Sequence, residues 1–281
     1  MSLQAMEVVV KKDVFEMGKL KAGKYPVVLF LHGFFLFNHY YNQLLKHISS
    51  HGFILVAPQL YTLILPCSTG DITCAAAVTD WLAGNLQALL PTGVEANLEE
   101  LALAGHSRGG HAAFSLALGH EDTTLKFSAL IGVDPVAGSC KGSQIPPNIL
   151  TYEPSSFQLG IPVMVIGTGL GEKKKIMLFP ACAPEGVNHT EFYYECQPPC
   201  YHIVVKDYGH LDMLSDDAPR LTKCVCANGV NCRDLMRRST GGIMVAFLEA
   251  YLMKNKTSLK GIVNDPQVAP AALSPVEYRL N

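Results

Sequence analysis

The stretch Leu101-Ala102-Leu103-Ala104-Gly105-His106-Ser107-Arg108-Gly109-Gly110 decides the fold. Its first four residues have strand character, and residues 108–118 carry a helical pattern, so a sharp strand-to-helix turn must lie between them. The pattern G-x-S-x-G suits such a turn for a steric reason. The central residue is forced into a strained backbone conformation, and its neighbours must be small to avoid clashes. The turn lifts the Ser107 hydroxyl clear of a sheet and aims the first amides of the helix at it. A serine so placed is a candidate nucleophile.

Outward from this turn, apolar runs alternate with helical patterns. Strands are expected at 27–31 (VVLFL), 54–57 (ILVA, stopped by Pro58), 101–104, 127–133, 162–166 and 202–206. Helices are expected at 37–50, 71–90 (Ala75, Val78, Leu82, Leu86 and Leu89 in helical spacing, closed by Pro91), 108–118 and 241–253. This alternation predicts an α/β architecture: one domain over residues 1–281, with a mostly parallel central sheet covered by helices on both faces. Residues 1–24 are expected to add edge strands, with residues 6–11 (MEVVVK) antiparallel. Residues 256–281, weakly periodic and containing Pro and Ala, are expected to form a loose tail.

Composition excludes several classes. Nearly half of the 281 residues are apolar, 16% are charged, and the formal net charge is −2. This is enough material for a large core and is unlike a disordered chain. The longest basic runs, Lys173-Lys174-Lys175 and Arg237-Arg238, are too short to point to nucleic acid. No segment approaches the ~20 apolar residues of a membrane-spanning helix. Residues 1–12 resemble neither a secretory signal nor a transit peptide. Six of the nine cysteines (Cys182, Cys196, Cys200, Cys224, Cys226, Cys232) crowd near the C-terminus. Local bridges are open to them, Cys196 with Cys200 or among Cys224, Cys226 and Cys232. Their spacings do not match the usual zinc modules, and neither metal nor cofactor is expected.

The partners of Ser107 follow from chain order, Ser, then acid, then His. Three late histidines compete: His189, His202 and His210. His210, in Asp207-Tyr208-Gly209-His210-Leu211-Asp212, follows the last strand on a Gly-containing loop and is the expected base; Asp207 and Asp212 would shape that loop. Asp134, before Pro135 at a strand's C-terminal end, is the expected acid, with Glu172 as the alternative. His32-Gly33-Phe34 ends the strand VVLFL, so the Phe34 and Arg108 amides are the expected oxyanion donors. Phe35, Leu36, Phe37 and Tyr61, with the apolar residues 60–66, suggest a greasy ester substrate. The Arg108 guanidinium either meets a polar group of that substrate or forms a salt bridge across the helix N-terminus.

Four stretches, VVLFLHGFFLFNHYYNQLLKHISSHGFILVAPQLY, GHSRGGHAAF, GVDPVAG and DYGHLDML, together resemble the plant chlorophyllases. The resemblance spans most of residues 27–252. It implies an α/β-hydrolase fold, with Ser107, Asp134 and His210 as a triad acting on chlorophyll to give chlorophyllide and phytol. It also implies a chloroplast location, although no transit peptide is visible, and possible peripheral membrane contact. Alternative readings are a lipase-like or platelet-activating-factor-acetylhydrolase-like esterase, and a hydrolase-fold receptor for a small hydrophobic molecule.

Overall fold

The computed structural model describes residues 6–9, 15–16, 19–61, 69–175 and 180–281. Its centre is an eight-stranded sheet of β1 (Met6–Val9), β2 (Gly23–Leu31), β3 (Ile54–Pro58), β4 (Val94–His106), β5 (Ala129–Val133), β6 (Val163–Thr168), β7 (Cys200–Val205) and β8 (Leu273–Arg279). The order across the sheet is β1-β3-β2-β4-β5-β6-β7-β8. The strands from β2 to β7 are parallel, and β1 and β8 run antiparallel at the two edges.

Alternation along each strand divides the apolar residues between two cores. Val27, Leu29 and Leu31 face α2 (Thr69–Asn85), α3 (Arg108–Ala117) and α4 (His189–Glu195). Val28 and Phe30 face α1 (Asn42–Ser49), α5 (Arg233–Leu252) and α6 (Thr257–Asn264). Burial on both faces is why these strands read as continuous apolar runs. The chain goes from β2 to one side for β3, then to the other side for β4. Such a switch opens a crevice at the carboxyl ends of the strands. Ser107 follows β4, and His32-Gly33-Phe34 follows β2, at that crevice.

The expected elements are present with shifted limits. The helix expected at 241–253 starts earlier, at Arg233. Gly241 does not begin it; a Cβ there would lie 2.4 Å from the His47 ring of α1, so the glycine permits close helix packing. The helix expected at 37–50 opens with a 3-10 turn, Asn38–Tyr41, before α1. Val10 and Lys11 of the expected N-terminal strand lie outside the described residues, as do residues 62–66 of the expected substrate loop.

The loose tail is overturned. After α6, whose Leu259 is buried, β8 pairs with β7 in register, His202 opposite Glu277 and Tyr201 opposite Tyr278. Pro275 disguises this strand, because proline is tolerated in a sheet only where its missing donor is not needed, as at an edge. The cysteines also differ from expectation. Cys182 is bonded to Cys226, while Cys196 and Cys200 are free and packed in the core beside α4. The bridge joins positions 44 residues apart. Replacing both cysteines by serine should therefore lower stability by up to about 4 kcal/mol, read from the urea unfolding midpoint.

Candidate active site

The turn after β4 has the strained geometry its sequence demands. Ser107 sits at φ 57° and ψ −124°, a conformation that costs about 1–3 kcal/mol in a non-glycine residue. No side chain fits on either flank. A Cβ on Gly105 would lie 2.1 Å from the Gly109 carbonyl oxygen, and one on Gly109 would lie 2.3 Å from that of Leu31. Gly110 gives the same room to Pro135, 2.8 Å from its missing Cβ. The Ser107 amide donates to Val133 O at 3.1 Å, and its carbonyl accepts from His111 and Val136. The strain is held by neighbours on β5 and α3.

The structure brings the three expected side chains together. Ser107 Oγ donates to His210 Nε2 at 2.8 Å, and His210 Nδ1 donates to Asp134 Oδ2 at 2.6 Å. All three are buried. Asp134 also accepts from the Thr168 amide at 3.1 Å and from Thr168 Oγ1 at 2.6 Å. Burial pushes its carboxyl up, but the hydrogen bond and charge of His210, with help from His189 and Thr168, outweigh this and hold it at about 2. Glu172, the alternative acid, accepts from Asn188 Nδ2 instead. Asp212 shapes the His210 loop as expected, accepting from the Gly209 and Gly229 amides and pairing with Arg233.

The Gly33–Phe34 peptide is gripped from behind. The Gly33 carbonyl accepts from Leu36 N at 3.2 Å, Tyr61 OH at 3.1 Å and His32 Nδ1 at 2.9 Å. The His32 tautomer is forced: the Leu60 amide donates to Nε2 at 3.0 Å, so the proton lies on Nδ1. Burial pushes this imidazole down to about 4, which keeps it neutral. In a trans peptide the Phe34 N–H points opposite to that held carbonyl. The loop lies against Ser107, since a Cβ on Gly33 would come within 3.1 Å of Ser107 Cβ.

A second buried chain links this loop to His210. The Gly33 amide donates to Tyr41 OH at 3.0 Å, and Tyr41 OH donates to His106 Nδ1 at 2.7 Å. His106 Nε2 donates to the His210 carbonyl at 3.0 Å. Every proton has one assignment, because the amide can only donate and the carbonyl can only accept. Sequence reasoning missed this role of His106, and it missed Tyr41 and Thr168. Their only signal was a polar group in an apolar setting.

The remaining candidates separate. Phe34, Phe35 and Phe37 are exposed by 41%, 58% and 39%. Leu36 instead turns into the core, with Cδ1 packed 3.0 Å from where a Gly33 Cβ would sit, and Tyr61 spends its hydroxyl on Gly33. These two therefore support the Gly33–Phe34 loop rather than extend the exposed aromatic surface. Arg108 forms the salt bridge, though to another helix: Nε meets Asp71 Oδ2 of α2 at 2.6 Å, with both residues buried. Its guanidinium also lies 5.5 Å from the Phe34 ring centre and 5.0 Å from that of Tyr61. The side chains of both expected oxyanion residues thus pack on each other.

This sheet order, with a strained serine between β4 and α3, defines an α/β-hydrolase. The sequence matches the family model for Chlorophyllase over residues 3–280. It is 51% identical over 261 residues to Chlorophyllase-1 of Arabidopsis thaliana, covering 90% of this chain and 80% of that protein. It is 52% identical over 241 residues to Chlorophyllase-2 of the same plant, covering 83% and 75%. Identity to Chlorophyllase-1, chloroplastic, of Citrus sinensis is 46% over 263 residues, covering 91% and 77%. The chain belongs to the chlorophyllase family.

Tyr41→Phe leaves the Gly33 amide and His106 Nδ1 without their shared partner. It should cost about 1–3 kcal/mol of folding stability in urea unfolding, the penalty of buried unpaired polar groups.

Proposed function

We propose that this protein is a serine esterase that hydrolyses chlorophyll at the propionate ester bearing the phytyl chain, releasing chlorophyllide and phytol. The chemistry rests on one observation: the unbroken series from Ser107 Oγ through His210 to Asp134, at 2.8 and 2.6 Å. Family membership supports the substrate.

The mechanism follows from the proton assignments. His210 Nε2, bare in the resting state, takes the hydroxyl proton as Ser107 Oγ attacks the ester carbonyl. Asp134 orients the imidazole and stabilises its charged form. The Phe34 and Arg108 amides hold the tetrahedral oxyanion; each such donor is worth about 100- to 1,000-fold in rate. The imidazolium then protonates the departing phytol oxygen, leaving the pigment acyl group on Ser107. Water, deprotonated by His210, attacks this acyl-enzyme; the bond to Ser107 Oγ breaks, the imidazolium returns its proton to that oxygen, and chlorophyllide leaves. Asp134 stays ionised throughout, so the acid limb of the rate profile belongs to the base.

The exposed rings of Phe34, Phe35 and Phe37 beside this centre suit an apolar ester, and they are the surface we assign to the substrate and to peripheral membrane contact. Among the described residues no helix is long and apolar enough to cross a membrane. A chloroplast location is part of this proposal, supported by the name of the Citrus sinensis relative.

Ser107→Ala should lower kcat/KM for chlorophyll at least about 10,000-fold, and Asp134→Asn by about as much, in a chlorophyllide-release assay. Near-wild-type turnover by Ser107→Ala would end this assignment. Phe35→Ser should raise KM for chlorophyll several-fold more than for p-nitrophenyl butyrate, a small ester with little to bury; hydrolysis of both by the two proteins measures that ratio.

A further inference from the structure

Two buried histidines lie behind the acid, and the mechanism above does not use them. His189 opens α4, whose first turn is fixed by the reciprocal Asn188–Glu191 cap. Its ring rests on the β6 backbone at Gly167, where any Cβ would come within 2.6 Å of it. His189 Nδ1 is 2.8 Å from His202 Nε2, and His202 Nδ1 is 2.7 Å from Glu277 Oε2 of β8. At the other end His189 Nε2 is 3.9 Å from Asp134 Oδ1. The Tyr193 ring stacks on His202 with centres 4.9 Å apart. A line of groups therefore runs from a carboxylate with half its side chain exposed to the buried acid.

Proton counting shows what the line holds. Its first two junctions, Glu277 with His202 at 2.7 Å and His202 with His189 at 2.8 Å, are hydrogen bonds that each need one N–H, while the third, His189 with Asp134 at 3.9 Å, is an ion-pair distance. Two neutral imidazoles carry two, and these two bonds use both. With the first two junctions satisfied, a bare nitrogen lone pair faces the Asp134 carboxylate. A third proton, taken from solvent onto His189 Nε2, makes the pair a cation at ion-pair distance from Asp134, with Glu277 at the other end.

We propose that His189 and His202 hold one excess proton between Glu277 and Asp134, so that the C-terminal strand controls how fully Asp134 supports His210. The inference rests on Asp134 being the partner of His210 in catalysis, and it gives Glu277, His202 and His189 positioning roles. The charged and titratable groups around the two rings are Asp134 at the end of β5, with His210 bound to it, Glu277 of β8, and Tyr193 of α4, over whose ring lies the Arg279 guanidinium of β8 at 4.5 Å. Burial, then His189, pushes the His202 imidazole down to about 4, against the pull of Glu277.

The sign of the effect follows. A cation next to Asp134 disfavours a second positive charge on His210 and lowers its proton affinity. Glu277→Gln keeps an acceptor for His202 Nδ1 but removes the charge that holds the excess proton. His210 then binds its proton more tightly, and the acid limb of kcat/KM against pH moves to higher pH by about one unit, or about tenfold lower kcat/KM on the acid side. His202→Gln should shift the limb the same way, and the double variant no further than either single one. These profiles are measured with p-nitrophenyl butyrate on the full chain, with folding checked by circular dichroism. A Glu277→Gln limb at or below the wild-type midpoint, in a folded protein, overturns the bridge. Activity retained by Ser107→Ala would instead overturn the triad on which it rests.

Discussion

A single backbone corner, with a serine at φ 57° between two strictly side-chain-free positions, is the constraint on which the rest depends. The corner brings the start of α3 against the ends of β2 and β4 so closely that a Cβ on Gly105 or Gly109 would overlap main-chain atoms. The close approach places the first amide of α3, the peptide after Gly33 and the Ser107 hydroxyl within one small volume. Its strain is sustained because β5, the loop after it and α3 hold the Ser107 main chain through three hydrogen bonds, to Val133, Val136 and His111.

Around this corner the polar groups are arranged before any substrate arrives. The Gly33 carbonyl has three donors, which fixes the plane carrying the Phe34 amide. The Gly33 amide is tied through Tyr41 and His106 to the main chain of His210. The proposed oxyanion loop and the proposed base come from distant parts of the chain, and this buried path makes them one unit. In a dry site, dipoles held in place cost no reorganisation at the moment of reaction, which is where such sites derive most of their rate advantage. Arg108 and Asp71 add an ion pair that braces α3 against α2 and packs on the Phe34 ring.

The two edges of the sheet contribute differently. At one, β1 covers β3 with a short antiparallel strand. At the other, β8 closes the sheet and also presents Glu277 to His202, reaching toward Asp134. The disulfide from Cys182 to Cys226 joins the segment before α4 to the segment beyond the His210 loop. Both devices tie C-terminal residues to the loops of the site.

Local chemistry wrote much of this molecule into its sequence. Alternating apolar runs specify a parallel sheet because strands buried on both faces leave no room for polar residues, and G-x-S-x-G specifies the corner because only glycine fits beside it. Asp134 and His210 were legible for a similar reason: one directly follows an apolar strand and the other lies on the loop after one, where the chain leaves the core. Other features had no local signature. Pro275 hid the edge strand, since nothing in residues 273–279 alone says that β7 lies alongside. The roles of Tyr41, His106, Thr168, His189 and His202, and the pairing of Cys182 with Cys226, depend on residues 34 to 75 positions away in sequence or more. A buried polar side chain takes whichever partner the packed chain delivers, so its hydrogen bonds are decided only when the tertiary structure forms.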